Sequence, residues 1–299
     1  MKIPPIDLRY LRLLLVYICF VNCINISAQG NTQVPFDTYS PSNATTFTDL
    51  KEALKNIDKA YKLNLSNQII EPKLYPKLTK LNNLQALMLI NNNITNLPTD
   101  FSNLTSLMYF SSRGNEFNKL PEGFGKLNSL MWLEFYDTKL DSLPAEIGYL
   151  DRLKTFHIQN NKDTLTLPKS IGYLNSLSEF LIYNTVLDTL PKELGLLKKL
   201  KSLTLVQCNI QNIPKNLGKL TDLEELVLDN NFLEDLPVSI YHLKNLQYLS
   251  LKNNRLSKLS DHICYLKGLS ILDVRGNSIS EDYVRIIQTL LPGCKVLWK

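Results

Sequence analysis

Apolar residues return along this chain on two nested beats. Within 223–243 they stand at Leu223, Leu226, Leu228, Leu233, Leu236, Ile240 and Leu243, with Asn231 and Pro237 at fixed places between them. Leu226 and Leu228 are two apart, which puts both side chains on one face of a short strand. The same pair of slots recurs at 63/65, 87/89, 110/112, 133/135, 156/158, 180/182, 203/205, 226/228, 249/251 and 272/274. The longer beat is a Leu-Pro phrase at 97–98, 120–121, 143–144, 167–168, 190–191 and 236–237, with Ile213-Pro214 as a variant and Leu259-Ser260 as a degenerate last copy. Its steps are 23 residues, except for one of 24 between Leu143 and Leu167. A period this regular means one supersecondary unit stacked on copies of itself. Each strand follows the last in the same chain direction after a full coil, so the pattern predicts an α/β solenoid with a parallel sheet of about ten strands.

A polar column runs through the apolar ones. Asn92, Asn115, Thr138, Asn161, Thr185, Cys208, Asn231, Asn254 and Asn277 each follow the first strand slot by five residues. The chain turns sharply there and leaves backbone groups that no strand partner satisfies, while an Asn amide can both donate and accept between coils. The column therefore predicts a structural ladder. Two local departures stand out: Ser112 occupies an apolar strand slot, and Asn161-Lys162-Asp163-Thr164 holds the extra residue of the 24-residue step, where a bulge is expected. After each Leu-Pro, apolar residues three and six positions on, such as Ile240 and Leu243, fill the core from the side opposite the sheet.

Outside the repeats the pattern changes. Residues 29–46 are rich in Asn, Thr, Ser, Gly and Pro without an apolar period and read as a flexible lead-in. Phe47, Leu50, Ala53, Leu54, Ile57 and Ala60 recur at three- and four-residue steps behind Thr48 as capping candidate, predicting a helix over 47–60 that covers the open end of a solenoid spanning 61–280. Over 281–299, Val284, Ile287 and Leu291 share a helical face, Pro292-Gly293 ends it, and 295–298 adds a last extended segment, together a C-terminal cap. At the start, Lys2, Arg9 and Arg12 precede the apolar run 13–21, and Ser27-Ala28 offers small residues before Gln29. This reads as a secretory signal over 1–28, whose apolar run is too short to span a membrane as a helix. Lipid modification at Cys23 is the other processing route this segment allows.

Written as LxxLxLxxNxLxxLPxxIxxLxxL, the repeat resembles the leucine-rich repeat family in its 23-residue Leu-Pro class. The Leu-Pro variant is similar to that of Ras-suppressor and Scribble-type intracellular proteins. The helix running into Lys62-Leu63-Asn64-Leu65-Ser66, with the signal ending Ser27-Ala28-Gln29, resembles exported repeat proteins of Bacteroidetes-type bacteria. The resemblance implies a right-handed, curved horseshoe with its parallel sheet on the concave side, short 3-10 or irregular convex segments, helical caps, and a role in protein recognition.

Composition then narrows the function. The formal charge of +5 falls to about +3 without residues 1–28, too mild to argue for nucleic acid. Only His157, His242 and His262 are present, and no GxSxG, HExxH, phosphate loop or CxxC occurs, so neither a catalytic site nor a metal or other cofactor is expected. His262 and Cys264 lack an orienting group and an oxyanion donor. Of the five cysteines, Cys208, Cys264 and Cys294 lie beyond the signal; a Cys264–Cys294 pair is conceivable, buried apolar roles more in keeping with an odd count.

Variation between repeats concentrates beside the strand leucines. Met88, Ile90, Tyr109, Trp132, Tyr136, Leu181 and Tyr183 fall on neighbouring strands, with Glu134, Asp137, His157 and Glu179 among them. These side chains are expected to face solvent on the concave side, where an aromatic cluster with a polar rim suits recognition. Asp229, Lys252, Asp273 and Arg275 at the far end read as a solvated mixed-charge face. The favoured reading is a non-enzymatic exported module binding a protein partner through the concave patch. A carbohydrate-binding surface protein and a cytoplasmic scaffold in small-GTPase signalling are the alternatives.

Overall fold

A computed structural model describes residues 33–39, 43–71 and 73–299 of the chain. The signal segment, Cys23 and the first residues of the lead-in lie outside the described residues. Twelve strands form one open, parallel sheet in unbroken chain order. They are β1 (Thr46–Phe47), β2 (Lys62–Asn64), β3 (Ala86–Ile90), β4 (Tyr109–Arg113), β5 (Trp132–Tyr136), β6 (Thr155–Gln159), β7 (Glu179–Tyr183), β8 (Ser202–Val206), β9 (Glu225–Val227), β10 (Tyr248–Ser250), β11 (Ile271–Asp273) and β12 (Lys295–Leu297). Equivalent slots pair in register from coil to coil, Leu133 with Phe156 and Phe135 with Ile158, for example. The result is a right-handed, curved solenoid with the sheet lining its concave side.

The return path of each coil is a 3-10 segment. Pro98, Pro144, Pro168, Pro191, Pro214 and Pro237 stand at the N-cap of six of them, with φ between −54° and −72°. A proline fixes that φ without forfeiting a needed N–H, because the first N–H groups of a helix have no partner inside it. Between sheet and return path lies one continuous core, and its N-terminal half is aromatic. Phe101 meets Phe110 at 5.1 Å, Phe110 meets Phe135 edge-on at 6.0 Å, and Phe156 stacks on Phe180 at 5.5 Å. Ser112, the polar residue in an apolar slot, is wholly buried and accepts a hydrogen bond from Asn115 Nδ2 at 3.0 Å.

The polar column is bonded throughout, and buried as far as Asn254, with Asn277 half-buried. Asn231 Oδ1 accepts from the backbone N–H of Cys208 (3.0 Å) and Ile210 (3.1 Å) in the preceding coil, while its Nδ2 donates to Leu205 O at 2.8 Å. Asn254 and Asn277 repeat the geometry. At the 24-residue step it is rewired: Asn161 Nδ2 turns to Leu140 O and Asp163 O, each at 2.7 Å, and isolated bridges join Ser142 to Thr166 and Leu165 to Leu187. The extra residue is absorbed in the turn and the strand register is untouched. A second column, one residue earlier, has left-handed backbone: Asn67, Asn91, Gly114, Asp137, Asn160, Asn184, Gln207, Asn230, Asn253 and Gly276 all have φ between 46° and 69°. Asn carries most of it because its short amide tolerates that conformation.

The N-terminal end differs from the sequence expectation. The helix expected over 47–60 is shorter. Thr46 and Phe47 extend the sheet as β1 by pairing with Lys62 and Leu63. Helix α2 (Leu50–Lys55) starts behind Asp49, not Thr48, because the Asp49 carboxylate accepts from Glu52 N at 2.8 Å. Ile57 falls in a separate 3-10 turn and is 37% exposed. The lead-in contains a helix, α1 (Gln33–Thr38), laid on the sheet. At the other end α3 (Glu281–Leu290) buries Val284 and Ile287, capped by Ser280, and β12 closes the sheet.

Candidate functional site: the concave face

In a curved parallel sheet the flanking side chains of neighbouring strands converge on the inner side, about 4.8 Å apart along the stack. That crowding buries residues expected to be open. Met88 is 5% exposed, His157 8%, and Tyr109 not at all. Over Met88 and Tyr109, α1 adds to the cover. Phe36, itself 1% exposed, packs against Ala86, Met88 and Tyr109, with Ile90, Trp132 and Tyr39 around them. Its ring meets Tyr109 edge-on at 5.8 Å; Tyr39 stacks on Tyr109 at 6.4 Å and tilts over Trp132 at 6.4 Å. Asp37 reaches Lys62 Nζ at 3.1 Å, where the lysine side chain is only 4% exposed.

The rest of the predicted patch lies beyond this lid. His157 sits edge-on to Trp132 at 5.3 Å and donates from Nε2 to Glu179 Oε1 at 2.8 Å. Burial opposes a charge on His157, but the hydrogen bond to Glu179 and the fields of Glu179 and Glu134 outweigh it and raise its pKa. Burial would raise Glu179 in turn, yet the hydrogen bond and charge of His157 hold it below the ordinary carboxylate value. Glu134 accepts from Ser111 Oγ at 3.3 Å. Arg113 lies over the Tyr136 ring at 4.5 Å. Leu181 and Tyr183 are half-buried. Trp132 Nε1 is a buried donor with no hydrogen-bond partner among the described residues.

Asp137 stands at the edge of this surface. It follows the end of β5 in the left-handed turn column, with φ 51° and its N–H on Gln159 O at 3.0 Å, so its position answers to the turn. The far end is also less open than a solvated face. Asp273 is 2% exposed and gripped by Arg275 Nε at 2.9 and 3.1 Å. Asp229 accepts from Ser250 Oγ at 2.5 Å and Lys252 N at 2.9 Å, and burial, with Asp273 nearby, pushes its pKa up to about 6.

Lys62, beside the first strand slot, was left outside the patch, and the sequence reading missed Phe36, Asp37 and Tyr39. Their signal was present but aperiodic: two aromatics three apart around an acid, inside a polar run. Away from the concave face, His262 Nδ1 bonds to Ser260 Oγ at 2.7 Å, and Cys208, Cys264 and Cys294 are free thiols. Among the described residues no cluster of three or more His, Cys, Asp or Glu could hold a metal, and no helix is long and apolar enough to cross a membrane.

Comparison with known proteins supports the architecture. A model of the leucine-rich repeat region matches residues 103–206 and 125–232, and a leucine-rich repeat model matches 221–279. No curated protein matches the sequence significantly. Among solved structures, an internalin of Listeria monocytogenes aligns over 79% of this chain and 73% of its own at 20% identity and TM-score 0.58. The Toll–Spatzle complex from Drosophila aligns over 77% of this chain and 31% of that one, at 21% identity and TM-score 0.66. The plant peptide hormone receptor RGFR1, solved with RGF2, aligns over 76% and 46%, at 24% identity and TM-score 0.53. This chain thus spans less than half the length of the latter two, and at these identities the likeness is one of fold.

Proposed function

We propose that this leucine-rich repeat protein is a non-enzymatic recognition module, exported from its cell, that binds a protein partner through the N-terminal half of its concave face. The observation that carries the reading is the half-buried aromatic surface of Trp132, Tyr136 and Tyr183 around the Glu134–His157–Glu179 group. Large amphipathic rings beside fixed polar groups are what contact surfaces concentrate, since they desolvate easily and lose little entropy. The Toll and RGFR1 structures, each a complex, agree with a binding role for such a scaffold. Export rests on the signal pattern of residues 1–28, and the Bacteroidetes-type resemblance on the same segment.

Trp132→Ala and Tyr136→Ala should each weaken capture of the partner by about thirtyfold or more, near 2 kcal/mol, with the thermal midpoint retained. Tyr149→Ala, on the convex side and 65% exposed, should leave capture unchanged. Equal capture by all three variants would sink the assignment of the face. Binding on a glycan array that depends on Trp132 would move the ligand class to carbohydrate, and full-length protein retaining Met1 inside the cell would remove export.

A further inference from the structure

We infer that the slot lined by Lys62, Ala86, Met88, Tyr109 and Trp132 is a peptide groove for an aromatic–acidic–x–aromatic segment, and that Phe36-Asp37-Thr38-Tyr39 is its built-in occupant, which a partner segment of the same chemistry displaces. The inference rests on the concave face being the recognition surface and specifies what enters it.

Three contacts define the groove. Phe36 fills the apolar floor, Asp37 meets a lysine buried to 4% exposure, and Tyr39 lies over Tyr109 and Trp132. The floor accepts an aromatic ring, and Lys62 demands a carboxylate. A buried ammonium that loses its counter-ion costs far more than an exposed one, so a segment lacking the acid is rejected and not merely bound less well. Trp132 Nε1 adds a buried donor awaiting an acceptor.

The occupant is built to leave. Its helix has six residues, well short of the length at which helices hold in isolation, so α1 depends on the groove for its shape. Six residues separate Tyr39 from β1, a tether that keeps the segment at an effective concentration on the order of millimolar. A weak intramolecular contact then suffices to fill the groove, and the apparent affinity for any outside segment falls with the unoccupied fraction.

The test uses the intact chain and a labelled synthetic peptide of residues 33–40, QVPFDTYS. Fluorescence anisotropy should show the peptide binding a Phe36→Ala/Tyr39→Ala chain at least tenfold more tightly than the unaltered chain. Trp132→Ala in that double variant should abolish binding, and a peptide carrying Asp37→Asn should bind it at least tenfold more weakly. Lys62→Met should erase the difference between the two peptides. Independently of affinity, Trp132 emission in a Trp298→Phe background should become about twice as quenchable by acrylamide when Phe36 and Tyr39 are replaced. Equal peptide affinity for the two chains, no binding to the double variant at about 1 mM, or unchanged quenching overturns the inference. If the peptide fails while partner capture still depends on Trp132, the groove falls and the recognition surface stands; if the peptide binds while capture ignores Trp132, the reverse holds.

Discussion

Asp229 is held by two donors, Ser250 Oγ and Lys252 N, yet titrates well above an ordinary aspartate. Burial is the larger influence, and Asp273 adds to it, against which the hydrogen bonds and Lys252 pull the other way. The sign follows from the direction of the shift. A group whose pKa is raised on folding binds its proton more tightly in the folded state, so its contribution to stability is complete below the unfolded value of 3.8 and is lost as pH rises through about 6. A rise from 3.8 to about 6 bounds the penalty at about 3 kcal/mol. Asp229→Asn keeps an oxygen facing Ser250 and Lys252 while removing the charge. It should therefore be close to neutral at about pH 4 and stabilise by about 1–2 kcal/mol at about pH 8, read from denaturant midpoints. A variant destabilised equally at both values would mean that the carboxylate's hydrogen bonds, and not its desolvation, dominate.

Coils pack on the convex side as closely as a missing Cβ allows. Gly125, Gly148, Gly172, Gly195 and Gly218 occupy the same place in five successive return segments. A Cβ at Gly172 would lie 2.2 Å from the carbonyl oxygen of Glu193 in the next coil, and one at Gly195 2.1 Å from that of Asn216. The obstruction is backbone, so no rotamer change relieves it. The column ends at Tyr241, where a wholly buried ring replaces hydrogen, and in the following coil the Leu-Pro phrase loses its proline to Ser260. These two changes are coupled: the Ser260 N–H, which a proline would lack, donates to Tyr241 Oη at 3.2 Å. Gly172→Ala should cost about 3 kcal/mol, read by thermal or denaturant unfolding. Leu196→Ala, at a position 43% exposed, should cost no more than about 0.5 kcal/mol. A neutral Gly172→Ala would show that coils slide apart freely.

At the scale of the whole molecule, what could be read from the sequence was what every coil repeats. The strand slots were legible because Leu203 and Leu205, Leu226 and Leu228 and their equivalents alternate into one core, and so was the parallel order that follows from them. The N-terminal edge was misread at Phe47 because a residue buried at a three-residue step from Leu50 fits a helix as well as it fits β1, and only the partner Leu63 decides between them. The lid over the concave face was illegible for a different reason. Phe36 and Tyr109 are 73 positions apart and share no period, so nothing local links them. A stack of this kind transmits stability mainly between neighbours. Loss of the α3 contact through Ile287→Ala, at a wholly buried position, should therefore fray the end and spare the middle. Hydrogen exchange should rise over 261–299 while β4 to β7 keep their protection. The equivalent truncation mid-stack, Ile182→Ala, should lower protection on both sides of β7. Uniform loss along the chain in the Ile287→Ala variant would mean that the solenoid unfolds as one unit and that its caps govern the concave surface from a distance.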